Sequence, residues 1–368
     1  MRIDKIEVYH VAMPLIYPWR TAYGEDAEIH SVLVKMVSGD EYAWSETSPL
    51  NAPCYSPEWA GGVFMLIKDY LAPKIVRKEL SDAEELLLQL QHFKGNPFAK
   101  AGVESAWWVL NAKIQRKPLH KILGGRTGPV EVGDDFGVQD SVDMLLKKIE
   151  KAVEEGFPRV KLKFKRGWDV NILGAVRDAF PNFPFHIDCN AGFSLKDLDL
   201  FKKVDRYELE MIEQPLHHND LLDHSKLQKQ IETPICLDES IAGVKAAEQA
   251  IELGSCRYVN IKVGRVGGLY NALKVHDLCR DAGIRCWVGG MLESSIGQGI
   301  SIELATLDNI KYPSDIFPSS KFYTDDLGYP DIKLQDKGKI DVSKVPGIPY
   351  EPKKQMLAKV TVERAIIS

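Results

Sequence analysis

Across the second two thirds of the chain, short apolar runs alternate with stretches in which apolar residues recur at helical spacing. The runs RVKLKF, FHIDCN, ELEMIEQP, PICLDES and RYVNIKV are too short and too rich in branched residues for helices, and read as buried strands. Strands are expected at 130–133, 159–164, 185–188, 209–213, 235–238, 258–262, 285–289 and 312–316. Between them, helices are expected over 142–155, 169–180, 219–230, 269–282 and 296–308, with one more behind Ser194 and another ending at Gly254. A strand, a helix and two loops fill about 25 residues in a right-handed βα unit, so the pattern predicts a parallel barrel.

The first 125 residues follow a different rule. Alternation over 3–14, 31–37 and 42–46 predicts an antiparallel meander, and helical periodicity follows over 58–70, 83–91 and 97–116. Strands followed by helices indicate an α+β domain over residues 1–125, ahead of a barrel domain over 126–322. The tail, about 323–368, lacks a βα unit, and weak alternation over 360–366 suggests a return to the first domain. The segments 17–27 and 48–57, rich in Gly, Pro and polar residues, are placed to reach over a neighbouring site.

With 47 basic and 52 acidic residues and a net charge of −5, the 368-residue chain carries no basic footprint for nucleic acid. No apolar run approaches the length of a membrane span, and the opening MRIDKIEVYHV reads as a strand, so a cytoplasmic protein is expected. None of the six cysteines has C-x-x-C spacing, and reduced core thiols are expected. Self-association into a homo-oligomer is left open.

Lys163, Asp188, Glu213, Asp238 and Lys262 stand 25, 25, 25 and 24 residues apart, each at or beside the end of a predicted strand. One barrel end should therefore carry three carboxylates in a row with an amine on either flank. Three carboxylates without His or Cys suit Mg²⁺, or Mn²⁺, and without a cation they would repel one another. Helix capping by each acid, and salt bridges from Lys163 to Asp188 and from Lys262 to Asp238, are the alternative readings. Lys161 lies one strand period before Lys163, on the same face. A small-molecule carboxylate held by the metal would have an acidified α-proton, and one lysine could remove it to give an enediolate. The second lysine could return the proton, stay as a cation, or assist loss of a β-group.

The motifs K-x-K at 161–163, D-x-N at 188–190, E-Q-P at 213–215, L-D-E-S at 237–240 and K-x-G-R-x-G-G at 262–268 resemble the enolase superfamily. Together with RTAYG at 20–24 and W-x-G-G-M-L-E at 287–293, they look like its muconate-lactonizing subgroup over nearly the whole chain. The resemblance implies an α+β capping domain on a modified TIM barrel, (β/α)₇β, with the site between them. G-G-M-L-E and Arg265 are most similar to o-succinylbenzoate synthases and N-succinylamino acid racemases. That likeness implies Lys163 as base, Lys262 as partner base or cation, and Lys161 as the group tuning Lys163. It also implies substrate contacts from Thr21, Tyr23, Tyr55, Asn190 and Arg265. Two places depart from the subgroup: Asp134–Asp135 after the first strand, and Gly297–Gln298–Gly299 after G-G-M-L-E. Asp135, Gln298 and Glu293, which follows the seventh strand, are therefore further candidates to meet the substrate. Ser314–Asp315–Ile316 only half resembles the Asp-x-Asp of dipeptide epimerases, a third possible activity. His217 and His218, which follow E-Q-P, are expected at the surface or just behind the site rather than as metal ligands or bases.

Two readings of other classes compete. A two-carboxylate barrel glycosidase would need no metal and leaves the lysines without a role. A catalytically inactive binding barrel would have no need to keep both lysines.

Overall fold

The computed structural model describes residues 1–22 and 24–368. Its first layer is an antiparallel sheet of β1 (Lys5–Arg20), β2 (Glu25–Ser38) and β3 (Glu41–Thr47), with the C-terminal strand Thr361–Ile367 paired to the outer edge of β1. Gly39, at a φ of 57°, lets the β2–β3 hairpin close in two residues. The helix Pro97–Ile114 packs on this sheet. It comes close because Gly102 has no Cβ, so its carbonyl accepts a 2.6 Å hydrogen bond from Ser45 of β3.

The second layer is a parallel sheet in which each strand pairs with the next. Its strands follow β4 (Val130–Glu131): β5 (Asp134–Phe136), β6 (Val160–Lys163), β7 (Phe185–Asp188), β8 (Ile212–Glu213), β9 (Ile235–Leu237), β10 (Tyr258–Ile261) and β11 (Arg285–Val288). Helices such as Val142–Glu154, Val170–Ala179 and Leu269–Asp281 fill the intervals that the periodicity indicates. Residues 311–315 join the two edges. Lys311 and Asp315 donate to Cys286 and Val288, at 2.9 and 2.8 Å, while Ser314 donates to Glu131 and accepts from Gly133, both at 3.0 Å. The barrel closes through these single bonds.

The first strand differs from expectation. Residues 130–131 pair antiparallel with Lys339–Ile340, and pairing with β6 begins only at Asp134. The chain changes partner at Gly133, where the Arg159 guanidinium fills the space a Cβ would need.

Buried glutamates tie the two layers together. Glu104, from the helix on the antiparallel sheet, accepts the N–H groups of Leu269 (2.7 Å) and Tyr270 (2.8 Å) at the start of a barrel helix. Glu46, in β3, accepts those of Ser294 and Gly297, each at 3.1 Å, at the start of Ser295–Leu304. Burial pushes both carboxyls up to about 7, against the downward pull of the N–H donors. A carboxyl raised on folding stabilises most below its unfolded pKa, and that contribution is lost as pH rises towards 7. Between pH 4.5 and 8, wild type should therefore lose roughly 3 kcal/mol more stability than Glu104→Ala, at about 1.4 kcal/mol per unit. Urea unfolding of both proteins across that range checks it. Among the described residues, no helix is long and apolar enough to cross a membrane.

Candidate active site

The charged ends of the barrel strands face a pocket roofed by Trp19, Asp26 and Tyr55 from the first layer. Asp135, Lys161, Lys163, Asn190, Lys262 and Asp315 line it from the barrel. Its free volume is about 40 Å³. That is well short of the roughly 300 Å³ of a small ligand pocket, so the site is closed down around its charged groups.

Strand register explains the grouping. Lys163 pairs with Asp188, and Asp188 with Glu213, so these three lie in one row. Glu213 pairs with Cys236, which sets Asp238 one pleat further along. Lys163 donates to Asp188 at 2.6 Å and Lys262 to Asp238 at 2.8 Å, so both salt bridges weighed in the sequence are present. They do not remove the lysines from the pocket, which both still line.

Lys161 holds three acids at once: Asp188 at 3.0 Å, Glu213 at 2.9 Å and Asp315 at 3.2 Å. Burial disfavours its charge, but these carboxylates outweigh burial and hold its pKa well above the ordinary lysine value. It is a fixed cation. Burial likewise opposes the charge on Lys262, and nearby Tyr55, Glu213 and Glu239 raise its pKa overall. Asp135 pairs in register with Lys161, and burial lifts its carboxyl to about 6, partly offset by Lys161 and Lys163. Its neighbour Asp134 turns outward onto Lys321.

Tyr55 donates to Asp238 at 2.8 Å, and its ring lies 4.5 Å from the Lys262 ammonium. Asn190 donates to Asp188 at 3.2 Å and to Glu239 at 3.3 Å. The Oδ1 of Asn190 and the Oε2 of Glu239 are buried without a donor. Hard oxygen atoms left unpaired beside carboxylates fit a divalent cation. As they lie, no three acid, imidazole or thiol groups among the described residues already stand together around an ion. Asp238 is bonded to Lys262, Tyr55 and Arg265.

Other sequence candidates lie elsewhere. Arg265 bonds Asp238 and the Ile241 carbonyl (3.0 Å), so it orients that acid from behind and does not line the pocket. Gln298 is bonded at both ends, to the Glu293 carbonyl (3.0 Å) and the Phe317 N–H (2.6 Å). Glu293 accepts the Met291 N–H at 2.8 Å. Neither of these two lines the pocket, though Met291 and Phe317 do. Thr21 takes part in its own turn, its N–H meeting the Gly24 carbonyl at 2.9 Å. Tyr23 falls outside the described residues. His217 and His218 are exposed, and five of the six cysteines are buried free thiols.

Several members of the site were not singled out from the sequence. Arg159 grips Asp315 at 2.7 Å, Asn260 donates to Glu213 at 2.7 Å, and His186 lies 3.5 Å from Glu213. Each precedes a site lysine or acid by two residues, the strand period that would have found them.

A parallel barrel with ammonium and carboxylate groups at its mouth, capped by an antiparallel sheet, is the architecture of enolase-type enzymes. The chain belongs to the mandelate racemase / muconate lactonizing enzyme family of the enolase superfamily, whose N-terminal domain matches residues 4–124 and whose enolase C-terminal domain-like part matches 144–356. Enzymes of this superfamily depend on a divalent metal. The chain is 39% identical to the o-succinylbenzoate synthase of Bacillus subtilis, over 100% of this chain and 99% of that one. It is 38% identical to the N-succinylamino acid racemase of Thermus thermophilus, over the full length of both. The solved structure of an enolase superfamily member from Listeria innocua superposes with a TM-score of 0.95 at 35% identity, covering 100% of this chain and 99% of the other.

Proposed function

We propose that the protein removes a proton α to a carboxylate, and that its reaction is the dehydration that forms o-succinylbenzoate. The observation that carries this reading is the pair of buried lysines, Lys163 and Lys262, lining one pocket from either side of three acid-bearing strands. In this reading Asp188, Glu213 and Asp238 would hold Mg²⁺, with Asn190 and Glu239 beside them. The ion, when bound, would withdraw charge from the substrate carboxylate and acidify its α-proton. Lys163 takes that proton, and the C–H electrons form the new double bond as the β-hydroxyl departs. Lys163 then returns the proton to the leaving oxygen, so water is the second product. Lys262 remains an ammonium across the pocket, and Lys161, fixed by three carboxylates, keeps a constant positive charge under the reacting end.

Racemisation of an N-succinylamino acid is the second reading. It is favoured by the same pair of lysines, because removal on one face and return on the other needs an amine on each.

Incubation in D₂O with Mg²⁺, followed by NMR, tests both. Dehydration should yield o-succinylbenzoate, and racemisation should place deuterium at the α-carbon of N-succinylamino acids of either hand. EDTA is expected to abolish the activity and added Mg²⁺ to restore it. Undiminished turnover after chelation would exclude the proposal and return attention to a metal-free hydrolase.

A further inference from the structure

A cavity of about 620 Å³ lies on the outer side of β5, far roomier than the catalytic pocket and sharing no lining residue with it. Strand alternation produces the separation. Asp135 turns into the barrel, while Asp134 and Phe136 turn out into this second space. The facing wall is the helix Val142–Glu154, and residues 318–334 close the third side.

Its lining combines two chemistries. Phe136, Phe157 and Ile332 are buried apolar walls, joined by the half-buried Leu334 and the exposed Ile16. Around it stand four lysines, Lys148, Lys151, Lys321 and Lys333, against two acids, Asp134 and Glu155. Both acids are already paired, Asp134 with Lys321 and Glu155 with Lys151 (3.5 Å). Lys148 and Lys333 have no carboxylate partner among the described residues. The Lys148 ammonium is half-buried and lies 4.9 Å from the Tyr17 ring centre, with Asp134 and Asp140 acting on it only through space and no carboxylate in direct contact to offset its lost solvation.

We propose that this cavity is a second binding site, for a small organic anion with an apolar frame whose charged group is met by Lys148 and Lys333. The volume lies within the range that holds small-molecule ligands, and a bare inorganic anion would leave the apolar walls unfilled. The two acids are each paired in place, which leaves the half-buried Lys148 and the exposed Lys333 as the cations free to meet an incoming anion.

The test uses the full-length protein with saturating Mg²⁺ and the fluorescent anion 1-anilinonaphthalene-8-sulfonate. Saturable binding is expected, with hydrogen exchange slowed in 145–157 and 330–335. Lys148→Met with Lys333→Met should weaken binding by about tenfold or more, while Lys148→Arg keeps it. Inorganic phosphate at equal concentration should fail to displace the dye, and Lys163→Ala should leave binding unchanged. Protection confined to other segments overturns the proposal, a readout that stands even if the double variant does not fold. Full displacement by phosphate, or equal affinity in a folded double variant, also overturns it.

Discussion

Replacing Lys163 with alanine is expected to lower turnover by about 10²–10⁴-fold, the usual contribution of a positioned general base, with little change in KM. The change removes the proposed proton acceptor and spares the framework around it. Asp188 loses its 2.6 Å contact with Lys163 but keeps Lys161 at 3.0 Å, so no buried carboxylate is left without a cation. Unfolding by urea should therefore be close to that of wild type, and the loss should lie in the chemical step. Lys163→Arg separates charge from basicity: it preserves a cation beside Asp188 but cannot accept a proton near neutral pH, and should be about as inactive as the alanine variant. Single-turnover measurement of α-proton exchange is the check. Exchange within tenfold of wild type in both variants would remove Lys163 from the mechanism. Lys262→Ala then divides the two activities. If Lys262 is a second base, exchange is lost for one enantiomer of an N-succinylamino acid and kept for the other. If it is only a cation, dehydration slows without that asymmetry.

The parts of this site that could be read from the sequence were those set by repeat length and strand period. A spacing near 25 residues brings Lys163, Asp188 and Glu213 into one row, because each βα unit returns the chain to the same height. Period two places Lys161 below Lys163, and would have extended to His186 and Asn260 had it been applied to every strand. The direction in which a side chain beyond the strand end turns was not legible. Gln298 and Arg265 lie close to the site in the chain, yet each spends its polar atoms on neighbouring backbone or on an acid from behind. Asp134 and Asp135 must face opposite ways, but only the register of Asp135 against Lys161 shows which one enters the barrel. The first strand was misplaced for a similar reason. Residues 130–133 have the composition of a strand, but Val130 and Glu131 pair with Lys339–Ile340, more than 200 positions away in the sequence, and Val132 and Gly133 turn to Ser314 at the barrel edge.

Arg159→Met should destabilise the protein by about 3–5 kcal/mol, the usual cost of breaking one half of a buried ion pair. The guanidinium is 1% exposed and serves as the junction where the barrel closes. It donates to the Pro313 carbonyl from Nε (3.1 Å), to Asp134 O from Nη1 (3.2 Å) and to Asp315 from Nη2 (2.7 Å). It also lies 5.4 Å and 5.3 Å from the ring centres of Trp287 and Tyr312. Methionine can fill much of the volume but replaces none of these donors, so two carbonyls and part of a carboxylate lose their partners in a dry interior. The pH dependence gives a second signature. Burial would raise the Asp315 carboxyl, but Lys161 and Arg159 outweigh it and hold the group well below the ordinary aspartate value. A lowered carboxyl contributes stability that is present above its unfolded pKa of about 3.8 and is lost as pH falls through that point towards the folded value. Without Arg159 less of that contribution exists, so the gap between variant and wild type should be widest near neutrality and narrow as pH drops below about 4. Urea unfolding of both proteins at pH 7 and in mild acid measures the gap directly. A gap that stays constant with pH would mean that the loss is one of packing alone, and that the Arg159–Asp315 pair does not hold the barrel shut.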